Sequence, residues 1–383
     1  MTRKINLLFV STYPPKECGI ATFTKDLTSA INKKHDGGVR TQILALNEGG
    51  EDYDYPSEVK YRMGSYDYDD WIRVADEINK DDSIDAISIQ HEFGIFGGEK
   101  SCHPLPFLDR VKKPVVMTFH SVFPNPEHEV RALVDSMAKR ASAFVVMTQK
   151  AVEIFRKYYE VNIPIHVIPH GIPEVDFEEQ EKYKQELDVS GRRIISSFGL
   201  VGPGKGYEYV IESLPKVVEK FPDLLYLIVG ETHPGVKEHQ GEAYRNKLKR
   251  KIKDLGIERN VGFVNRYLEL DEVVEHLKAT DLYVASNQNP EQITSGTLVY
   301  AMGCGRAIVS TPFPHAVDVI KEGNGLIVDF DKIEEFSDAI TILLSDPARL
   351  KEIEKNNYEY TRQMTWSNVA KSYGDVFRDL IGA

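Results

Sequence analysis

Short apolar runs rich in β-branched residues alternate along the chain with amphipathic stretches whose apolar positions repeat at helical spacing. Apolar strands that alternate with helices are typical of a parallel sheet covered on both faces. In the first half of the chain, the pattern predicts strands at 5–11, 41–46, 84–90, 114–118, 143–147 and 165–168. Helices are predicted between them, including those at 21–31, 70–79 and 127–140.

A second set of the same kind begins near Arg193. Its strands are predicted at 194–198, 224–229, 261–264, 282–285, 307–310 and 326–328, and its helices include 208–220, 242–255 and 269–279. The polar, acidic segment 173–191 separates the two sets and is predicted to be a linker. The pattern therefore predicts an α/β protein with two Rossmann-like, doubly wound domains of similar size.

Composition agrees with two cores. A chain of 383 residues exceeds the roughly 250 residues that one hydrophobic core usually supports. No apolar run reaches the length of about 18 residues expected of a transmembrane helix. The short apolar run at the N-terminus lacks a small-residue cleavage site and is interpreted as the first strand, not as a signal peptide.

Charge and cysteine usage narrow the function classes. The net charge of −12 argues against general binding to nucleic acid, and it limits any membrane contact to a peripheral one. The three cysteines are far apart and form no CxxC pair, so neither a disulfide framework nor a cysteine zinc site is expected. We therefore expect a cytoplasmic protein.

The segment 289–302 carries the most chemical information. It follows an apolar run that predicts a buried strand, and it places Glu291 in the connecting loop. Ser295, Gly296 and Thr297 then stand at the predicted start of a helix, where free backbone N–H groups favour phosphate. Beside bound phosphate, a carboxylate is suited to sugar hydroxyls, so the segment favours a nucleotide-sugar pocket. The alternative is an N-capped helix preceded by an unpaired surface glutamate.

A glycine-rich loop at 199–206 follows the first strand of the second set. It contains Gly204, Lys205 and Gly206, so the backbone can approach a ligand closely and an ammonium can bind phosphate. It is not a P-loop, because Gly206 stands where a hydroxyl residue is required, and no acidic partner completes a dinucleotide motif. The alternative is a structural turn with an exposed lysine.

The first domain offers its own candidates at strand ends. Gly19 and Ile20 stand at a predicted helix start after the first strand, where backbone N–H groups would face the crevice above the sheet. His120 ends a predicted strand, and His91 and His170 hold similar positions. A structural role is the alternative for each of these residues. No His, Cys or Asp cluster has metal-ligand spacing, so no metal is expected.

Taken in order, these motifs resemble a known family. Both halves of the chain resemble family 4 glycosyltransferases of the GT-B type, in which two Rossmann-like domains face a central cleft. The resemblance rests on these segments: Cys18-Gly19-Ile20, Thr118-Phe-His-Ser121, Phe198-Gly199 with Lys205-Gly206, Leu227-Ile-Val-Gly230, and the Glu291 segment. Variants such as Gln90-His-Glu-Phe-Gly94 suggest a bacterial subgroup.

The resemblance implies domain roles. It places a nucleotide-sugar donor on the second domain, 173–365, and a carbohydrate or lipid-linked acceptor on the first, 1–172. It also implies that a final helix, 366–383, returns to complete the first domain. The family retains anomeric configuration and needs no metal or other cofactor. A hexose would therefore move to an acceptor hydroxyl, with mannose from GDP-mannose and glucose from UDP-glucose as the favoured cases.

The resemblance also implies residue roles. Lys205 and the amides of Ser295–Thr297 would stabilise the leaving diphosphate, together with the backbone at Gly204. Glu291 would orient sugar hydroxyls, and His120 would contact the sugar near the reacting centre. Gly19 and Ile20 would bracket the diphosphate or the acceptor.

The chain departs from the family pattern twice. Leu200 stands where a second phosphate-binding arginine is usual, and Tyr300 stands near the position of a glutamate that usually holds the ribose. Arg266 and Arg306 are the candidates to supply the missing positive charge. A sugar-nucleotide 2-epimerase stays open because it shares this architecture, and the two departures keep a non-catalytic sugar-nucleotide-binding protein open. A retaining sugar phosphorylase is less favoured, because the lysine that would carry pyridoxal phosphate lacks its sequence context. Oligomeric state, donor base and acceptor are not readable from the sequence.

Overall fold

A computed structural model describes residues 4–33, 38–48 and 53–382. Backbone contacts divide the chain into two compact units. The first unit comprises Met1–Gly171 together with Met364–Ala383, and the second comprises Ile172–Gln363.

Unit 1 is built on a parallel sheet with helices between most successive strands. Its strands are β1 (Ile5–Ser11), β2 (Val39–Asn47), β3 (Val59–Gly64), β4 (Ala86–His91), β5 (Val115–Phe119), β6 (Ala143–Val146) and β7 (Ile165–Val167). Its helices are α1 (Gly19–Lys33), α2 (Tyr68–Lys80), α3 (Pro104–Arg110), α4 (His128–Ala138) and α5 (Gln149–Tyr158). The strand order is β3-β2-β1-β4-β5-β6-β7, so the winding direction reverses between β1 and β4. Ligands of such sheets bind where the winding reverses, at the carboxyl ends of the strands.

Unit 2 repeats this plan. Its strands are β8 (Arg193–Phe198), β9 (Leu224–Val229), β10 (Val261–Val264), β11 (Leu282–Ala285), β12 (Ala307–Ser310) and β13 (Gly325–Ile327). Its helices are α6 (Gln180–Glu186), α7 (Tyr207–Lys220), α8 (Pro234–Gln240), α9 (Ala243–Asp254), α10 (Leu270–Lys278), α11 (Gly296–Gly303), α12 (Pro314–Val319), α13 (Ile333–Ser345) and α14 (Pro347–Thr361). The strand order β10-β9-β8-β11-β12-β13 puts the reversal between β8 and β11.

Burial explains why these segments form these elements. Every residue of β9, Leu-Leu-Tyr-Leu-Ile-Val, is buried, as expected of a parallel strand covered on both faces. In α2 the buried residues are Trp71, Val74, Ala75 and Ile78, which lie on one helical face. The side chain of Asp67 caps the same helix by accepting hydrogen bonds from the amides of Asp69 and Asp70.

The last helix, α15 (Trp366–Ile381), belongs to unit 1 and packs against α1. The hydroxyl of Tyr373 lies 3.0 Å from the hydroxyl of Thr118 on β5. The Trp366 ring lies so close to Gly171 that a Cβ atom there would approach it to 2.1 Å. These contacts join the C-terminal helix to the carboxyl end of the first sheet.

Most predicted strands lie within two residues of their observed bounds, and one strand is missing from the prediction. β3 has alternating, partly exposed residues at the edge of the sheet and therefore lacks the apolar run that marked the others. Within the basic run 245–253 of α9, Arg245 is buried.

The prediction that 173–191 is a linker is wrong, because this segment packs into unit 2. It contains α6, whose Lys184 is buried and forms an ion pair of 2.7 Å with Asp281. The hydroxyl of Tyr358 donates a hydrogen bond to the carbonyl of Val175 at 2.9 Å. A polar sequence therefore does not mark a free connection here, since its charges are paired with residues of the domain.

Candidate active site

The glycine-rich loop after β8 depends on backbone conformations that favour glycine. Gly199, Gly204 and Gly206 have φ angles of 133°, 85° and 73°. Gly206 is also sterically restricted, because a Cβ atom there would lie 2.0 Å from the carbonyl oxygen of Ser286. The loop therefore closes tightly against the segment that follows β11.

Three further contacts bring the loops after β8 and β11 together. The Gln288 amide donates to the Gly204 carbonyl at 2.9 Å, and the Ser286 hydroxyl donates to the Lys205 carbonyl at 2.8 Å. A Cβ atom built on Gly199 would lie 3.5 Å from Cγ2 of Thr297. The structure thus brings the predicted lysine loop and the start of α11 to one place, where the winding of the second sheet reverses.

The Lys205 side chain is partly buried in this loop. Burial lowers the pKa of Lys205, because removing an ammonium from water disfavours its charged form. No ion pair or hydrogen bond of Nζ is found among the described residues. Lys205 also contributes to the lowered pKa of His233, after the effect of burial on that ring. An anion bound here would compensate the lysine charge.

The start of α11 differs from expectation in one respect. Ser295 is the N-cap, and its hydroxyl accepts a hydrogen bond from the Leu298 amide at 3.4 Å. The Ser295 amide donates to Nδ1 of His315 at 2.7 Å, so it is not free to bind phosphate as predicted. Gly296 and Thr297 occupy the first two helical positions, where an amide has no intrahelical acceptor. Two amides of the predicted three therefore remain suited to an anion.

Glu291 lies in the turn before this helix, and its side chain is exposed. Its amide donates to Oδ1 of Asn289 at 3.0 Å, which shapes the turn. Among the described residues, Glu291 forms no ion pair, with Lys205 or any other residue. The Glu291 carboxylate is therefore held neither by a salt bridge nor by burial. Tyr300, which occupies the region of the missing glutamate, is buried in α11.

Of the two arginines predicted to replace the missing cation, Arg306 is ruled out. It is fully buried just before β12, at the amino end of the strand, and donates to the carbonyls of Cys304 and Thr280. A residue at that edge of the sheet cannot reach a ligand at the carboxyl ends. Arg266 follows β10 at the carboxyl edge, but its guanidinium is paired with Glu272 at 2.6 Å.

In unit 1, α1 begins at Gly19 after the loop that follows β1. The Cys18 sulfur accepts a hydrogen bond from the Ala21 amide at 3.3 Å and lies 3.1 Å from the Thr12 hydroxyl. Gly19 has open space around its Cα, and with Ile20 it supplies the first two amides of the helix. The sequence pattern did not reveal the capping role of Cys18.

The histidines of unit 1 gather at the carboxyl ends of its strands. The His120 ring packs edge-on against Phe23 of α1 with 4.7 Å between ring centroids, and the His170 ring contacts the same phenylalanine at 5.1 Å. Nε2 of His120 donates to Oε1 of Gln90 at 3.0 Å, which leaves Nδ1 as an acceptor. Burial, with smaller effects from His170 and His91, lowers the pKa of His120 to about 3, so the ring is neutral near pH 7.

Glu92 is a candidate that the sequence reasoning missed. It follows β4 directly, and its Oε2 accepts a hydrogen bond of 2.8 Å from the hydroxyl of Ser121, beside His120. Burial raises the pKa of Glu92 to about 7, although the hydrogen bonds from Ser121 and the Phe93 amide oppose this shift. An acidic residue immediately after an apolar strand was the signal that could have identified it.

The described ranges contain neither a metal-binding cluster nor a helix that could span a membrane. No three or more His, Cys, Asp or Glu side chains within 4–33, 38–48 and 53–382 are grouped so that they could hold a metal ion. In the same part of the chain, no helix is both long enough and apolar enough to cross a bilayer.

Family models match both units. Residues 18–174 match the model described as Glycosyltransferase Family 4, and residues 178–360 match Glycosyl transferases group 1. The chain belongs to glycosyltransferase family 4. The resemblance found in the motifs of this glycosyltransferase is therefore confirmed across both domains.

Curated relatives of this glycosyltransferase align over part of its length. Spore coat protein SA of Bacillus subtilis is 24% identical over 203 residues, which are 52% of each chain. A phosphatidyl-myo-inositol mannosyltransferase of Mycobacterium tuberculosis is 28% identical over 187 residues, covering 47% of this chain and 45% of the relative. The chain spans about half the length of the curated relatives that it matches.

Solved structures support the GT-B fold. HepE of Anabaena, in complex with UDP and glucose, has a TM-score of 0.77 at 16% identity and covers 98% of this chain and 100% of its own. Sucrose-phosphate synthase of Thermosynechococcus elongatus has a TM-score of 0.80 at 15% identity, and the match covers 99% of this chain and 100% of the synthase chain. At these identities the similarity establishes the fold alone, and it confirms the predicted architecture of two doubly wound α/β domains.

Proposed function

We propose that this protein transfers a hexose from a nucleoside-diphosphate sugar to an acceptor hydroxyl, with retention of anomeric configuration and without a metal. The observation that carries the proposal is the partly buried ammonium of Lys205, which has no ion pair among the described residues and lies in a glycine-rich loop that packs beside the start of α11. A diphosphate would supply the missing negative charge. The donor sugar is mannose or glucose, because relatives and structural neighbours include a mannosyltransferase and a complex with UDP-glucose.

Transition-state charge gives these groups their role. When the bond to the anomeric carbon breaks, negative charge grows on the leaving diphosphate. The amides of Gly296 and Thr297 are held by the helix before the reaction, and Lys205 extends from the adjacent loop, so together these groups would stabilise that charge selectively. Donors of this kind contribute on the order of 3 kcal/mol each to lowering the barrier. Since positive charge comes from these residues, the proposed reaction needs no metal at the diphosphate.

The remaining groups orient the donor sugar, and the leaving phosphate accepts the proton of the acceptor hydroxyl. Glu291 is exposed and unpaired by lysine or arginine in the described residues, so its carboxylate is available for sugar hydroxyls. His120 is neutral and offers Nδ1 as a hydrogen-bond acceptor, and the proposal assigns it a contact with the sugar. In a front-face substitution the leaving phosphate oxygen takes the proton of the acceptor hydroxyl as the new glycosidic bond forms. No protein nucleophile takes part, and configuration is retained.

A thermal-shift panel with GDP, UDP, ADP and their sugars tests the donor. A nucleotide at about 100 times its Kd should stabilise the protein by about 2.7 kcal/mol, so the correct base should stand apart from the others. Donor consumption would then be followed with and without EDTA, and the anomeric configuration of the product read by NMR. Failure of every nucleotide to raise the melting temperature would contradict the proposal. Conversion of the donor without an acceptor would favour the 2-epimerase instead.

A further inference from the structure

The loops that follow β4 and β5 are joined by two side-chain contacts. Ser121 donates its hydroxyl proton to Oε2 of Glu92 at 2.8 Å. Farther along the same loops, Lys100 forms an ion pair with Glu127 at 2.6 Å between Nζ and Oε2. The carboxyl ends of two neighbouring strands therefore present one connected surface, which we call the β4–β5 surface: Glu92, Phe93, Ser121 and Phe123.

Unusual backbone conformations concentrate around this surface. Lys100, Ser101 and Asn125 have positive φ angles of 52°, 69° and 52°, which are unfavourable for residues with a Cβ. The hydroxyl of Ser101 accepts a hydrogen bond from the Gly94 amide at 2.7 Å and so holds the loop after β4 in its fold. Strained conformations of this type persist where the surroundings enforce them, and they concentrate at functional sites.

Glu92 retains hydrogen-bonding capacity at this surface. Its Oε1 accepts from the Phe93 amide at 2.8 Å and its Oε2 accepts from Ser121, so among the described residues each oxygen has one partner where it can accept two. Burial makes ionisation of the carboxyl unfavourable, which raises its pKa to about 7. Additional hydroxyl donors would therefore stabilise the carboxylate.

Beside this carboxyl group lies a pair of partly exposed aromatic rings. Phe93 and Phe123 have ring centroids 4.9 Å apart and an angle of 41° between their planes. Phe93 also packs edge-on against the buried ring of His91 at 4.9 Å, which fixes its position. Small-molecule sites combine apolar surfaces of this type with a few oriented polar groups.

We propose that the β4–β5 surface is the acceptor site and that it binds a neutral sugar. The ring of this sugar packs against Phe93 and Phe123, while its hydroxyls donate to Glu92. The inference rests on the proposed glycosyltransferase function and specifies its acceptor. A phosphate group is a poor alternative, because Glu92 would repel it, whereas a sugar offers both an apolar ring face and hydroxyl donors. Glu92 is then a specificity-determining residue for the acceptor.

Ligand-observed NMR can test this site without knowledge of the donor. Saturation transfer would be measured from the full chain to methyl α-D-mannoside, methyl α-D-glucoside and methyl β-D-galactoside, each alongside its octyl glycoside. We expect a signal for at least one methyl glycoside. A signal confined to octyl glycosides would show that binding follows the alkyl chain and would overturn the proposal.

Variants then assign the signal to this surface. Glu92→Gln should weaken glycoside binding by about 10- to 100-fold, the range expected when hydrogen bonds to a charged group are lost. Phe93→Ala should also weaken it, whereas Phe93→Tyr should preserve it. Glu129→Gln, an exposed carboxylate on α4, is the matched control and should bind as the unmodified protein does. Equal glycoside binding by Glu92→Gln and the unmodified protein would overturn the assignment.

The nucleotide-induced thermal shift provides the second readout. Glu92→Gln should keep this shift, because the donor is proposed to bind unit 2; loss of both signals would contradict a role confined to the acceptor. Glycoside binding without any nucleotide shift in the unmodified protein would overturn the transferase function and leave the sugar site supported. A nucleotide-induced shift in the unmodified protein without binding of any glycoside would overturn the sugar site and leave the transferase function supported.

Discussion

The amide of Ser295 donates a hydrogen bond of 2.7 Å to Nδ1 of His315, a residue buried at the start of α12. This contact holds the N-cap of α11 from outside the helix. The amides of Gly296 and Thr297 follow directly, so their direction depends on the cap that His315 positions. A side chain that would not touch a bound diphosphate can therefore influence how the diphosphate is bound.

We predict that His315→Leu destabilises the protein and weakens nucleotide binding. The leucine leaves the buried amide of Ser295 without this acceptor, at a penalty of about 1–3 kcal/mol. His315→Asn is the control, because Oδ1 of asparagine can take the place of Nδ1. Urea unfolding and calorimetric titration with GDP and UDP would measure both effects. Equal losses in the leucine and asparagine variants would contradict the role of this hydrogen bond.

Lys205 leads to a prediction in which stability and binding change in opposite directions. Because burial disfavours its charge in the unliganded protein, Lys205→Met should leave the melting temperature unchanged or raise it. The same substitution should weaken nucleoside-diphosphate binding by about 10- to 100-fold, since it removes charge-assisted contacts with phosphate.

The control for Lys205 is Lys253→Met, on the exposed face of α9. It should change neither property appreciably. Thermal shift without ligand and titration with GDP and UDP would give the comparison. If Lys205→Met bound the diphosphate as tightly as the unmodified protein, the lysine would have no place in the donor site.

The sequence was most informative where chemistry follows strand order. Lys205 and Thr297 are far apart in the chain, but each follows a strand that borders the reversal point of a doubly wound sheet. That topology could be predicted from alternating apolar and amphipathic segments, and the structure places the two loops in contact. Their functional roles remain predictions.

Features that depend on tertiary contacts were not predictable in the same way. His315, which lies 20 positions further along the chain, accepts the hydrogen bond of the Ser295 amide, and no local sequence pattern specifies that contact. The full burial of Arg306 is not visible in the sequence, although the predicted strand 307–310 already implied its place at the amino edge of the sheet. Glu92 was overlooked because its special property is the burial of a carboxyl, which a one-dimensional pattern does not report.

His91 predicts how stability changes with pH. Burial lowers its pKa to about 3, and neither ring nitrogen has a hydrogen-bond partner among the described residues. The His91 ring is stacked with Phe96, and because burial disfavours its charged form, it is neutral in the folded protein near pH 7. The unfolded chain takes up a proton at this histidine below about pH 6.5, whereas the folded protein takes one up only at about pH 3. The contribution of the neutral His91 ring to folding stability is therefore full above about pH 6.5 and is lost as the pH falls toward 3.

We predict that His91→Phe reduces this acid sensitivity. Phenylalanine keeps an aromatic ring and cannot be protonated in either state. The free energy of unfolding of the variant, relative to that of the unmodified protein, should be about 2 kcal/mol higher at pH 5 than at pH 8. His120 and His170 also have lowered pKa values, but burial is the largest cause for both rings and is the same in both proteins, so they contribute little to the difference. Urea unfolding of both proteins at pH 5 and pH 8 measures this difference in the free energy of unfolding. A difference that does not change with pH would contradict the prediction.

Gly206 and Gly191 form a matched pair for testing how tightly the Lys205 loop closes. Both have a φ angle of 73°, so an alanine at either position has the same unfavourable backbone conformation. Around Gly191 nothing lies within 4 Å of a built Cβ, whereas at Gly206 the Ser286 carbonyl oxygen would be 2.0 Å away. Gly191→Ala should therefore report the conformational penalty alone, about 1–2 kcal/mol.

Gly206→Ala should add a steric penalty to the same conformational one. To accommodate the methyl group, the loop after β8 must move away from the segment after β11, which would separate Lys205 from the start of α11. We expect a loss of stability at least about 2 kcal/mol larger than in Gly191→Ala, with weakened nucleotide binding only in Gly206→Ala. Urea unfolding and titration with GDP and UDP would measure both. Similar losses in the two variants would mean that contact between the loops adds no constraint beyond the backbone angle.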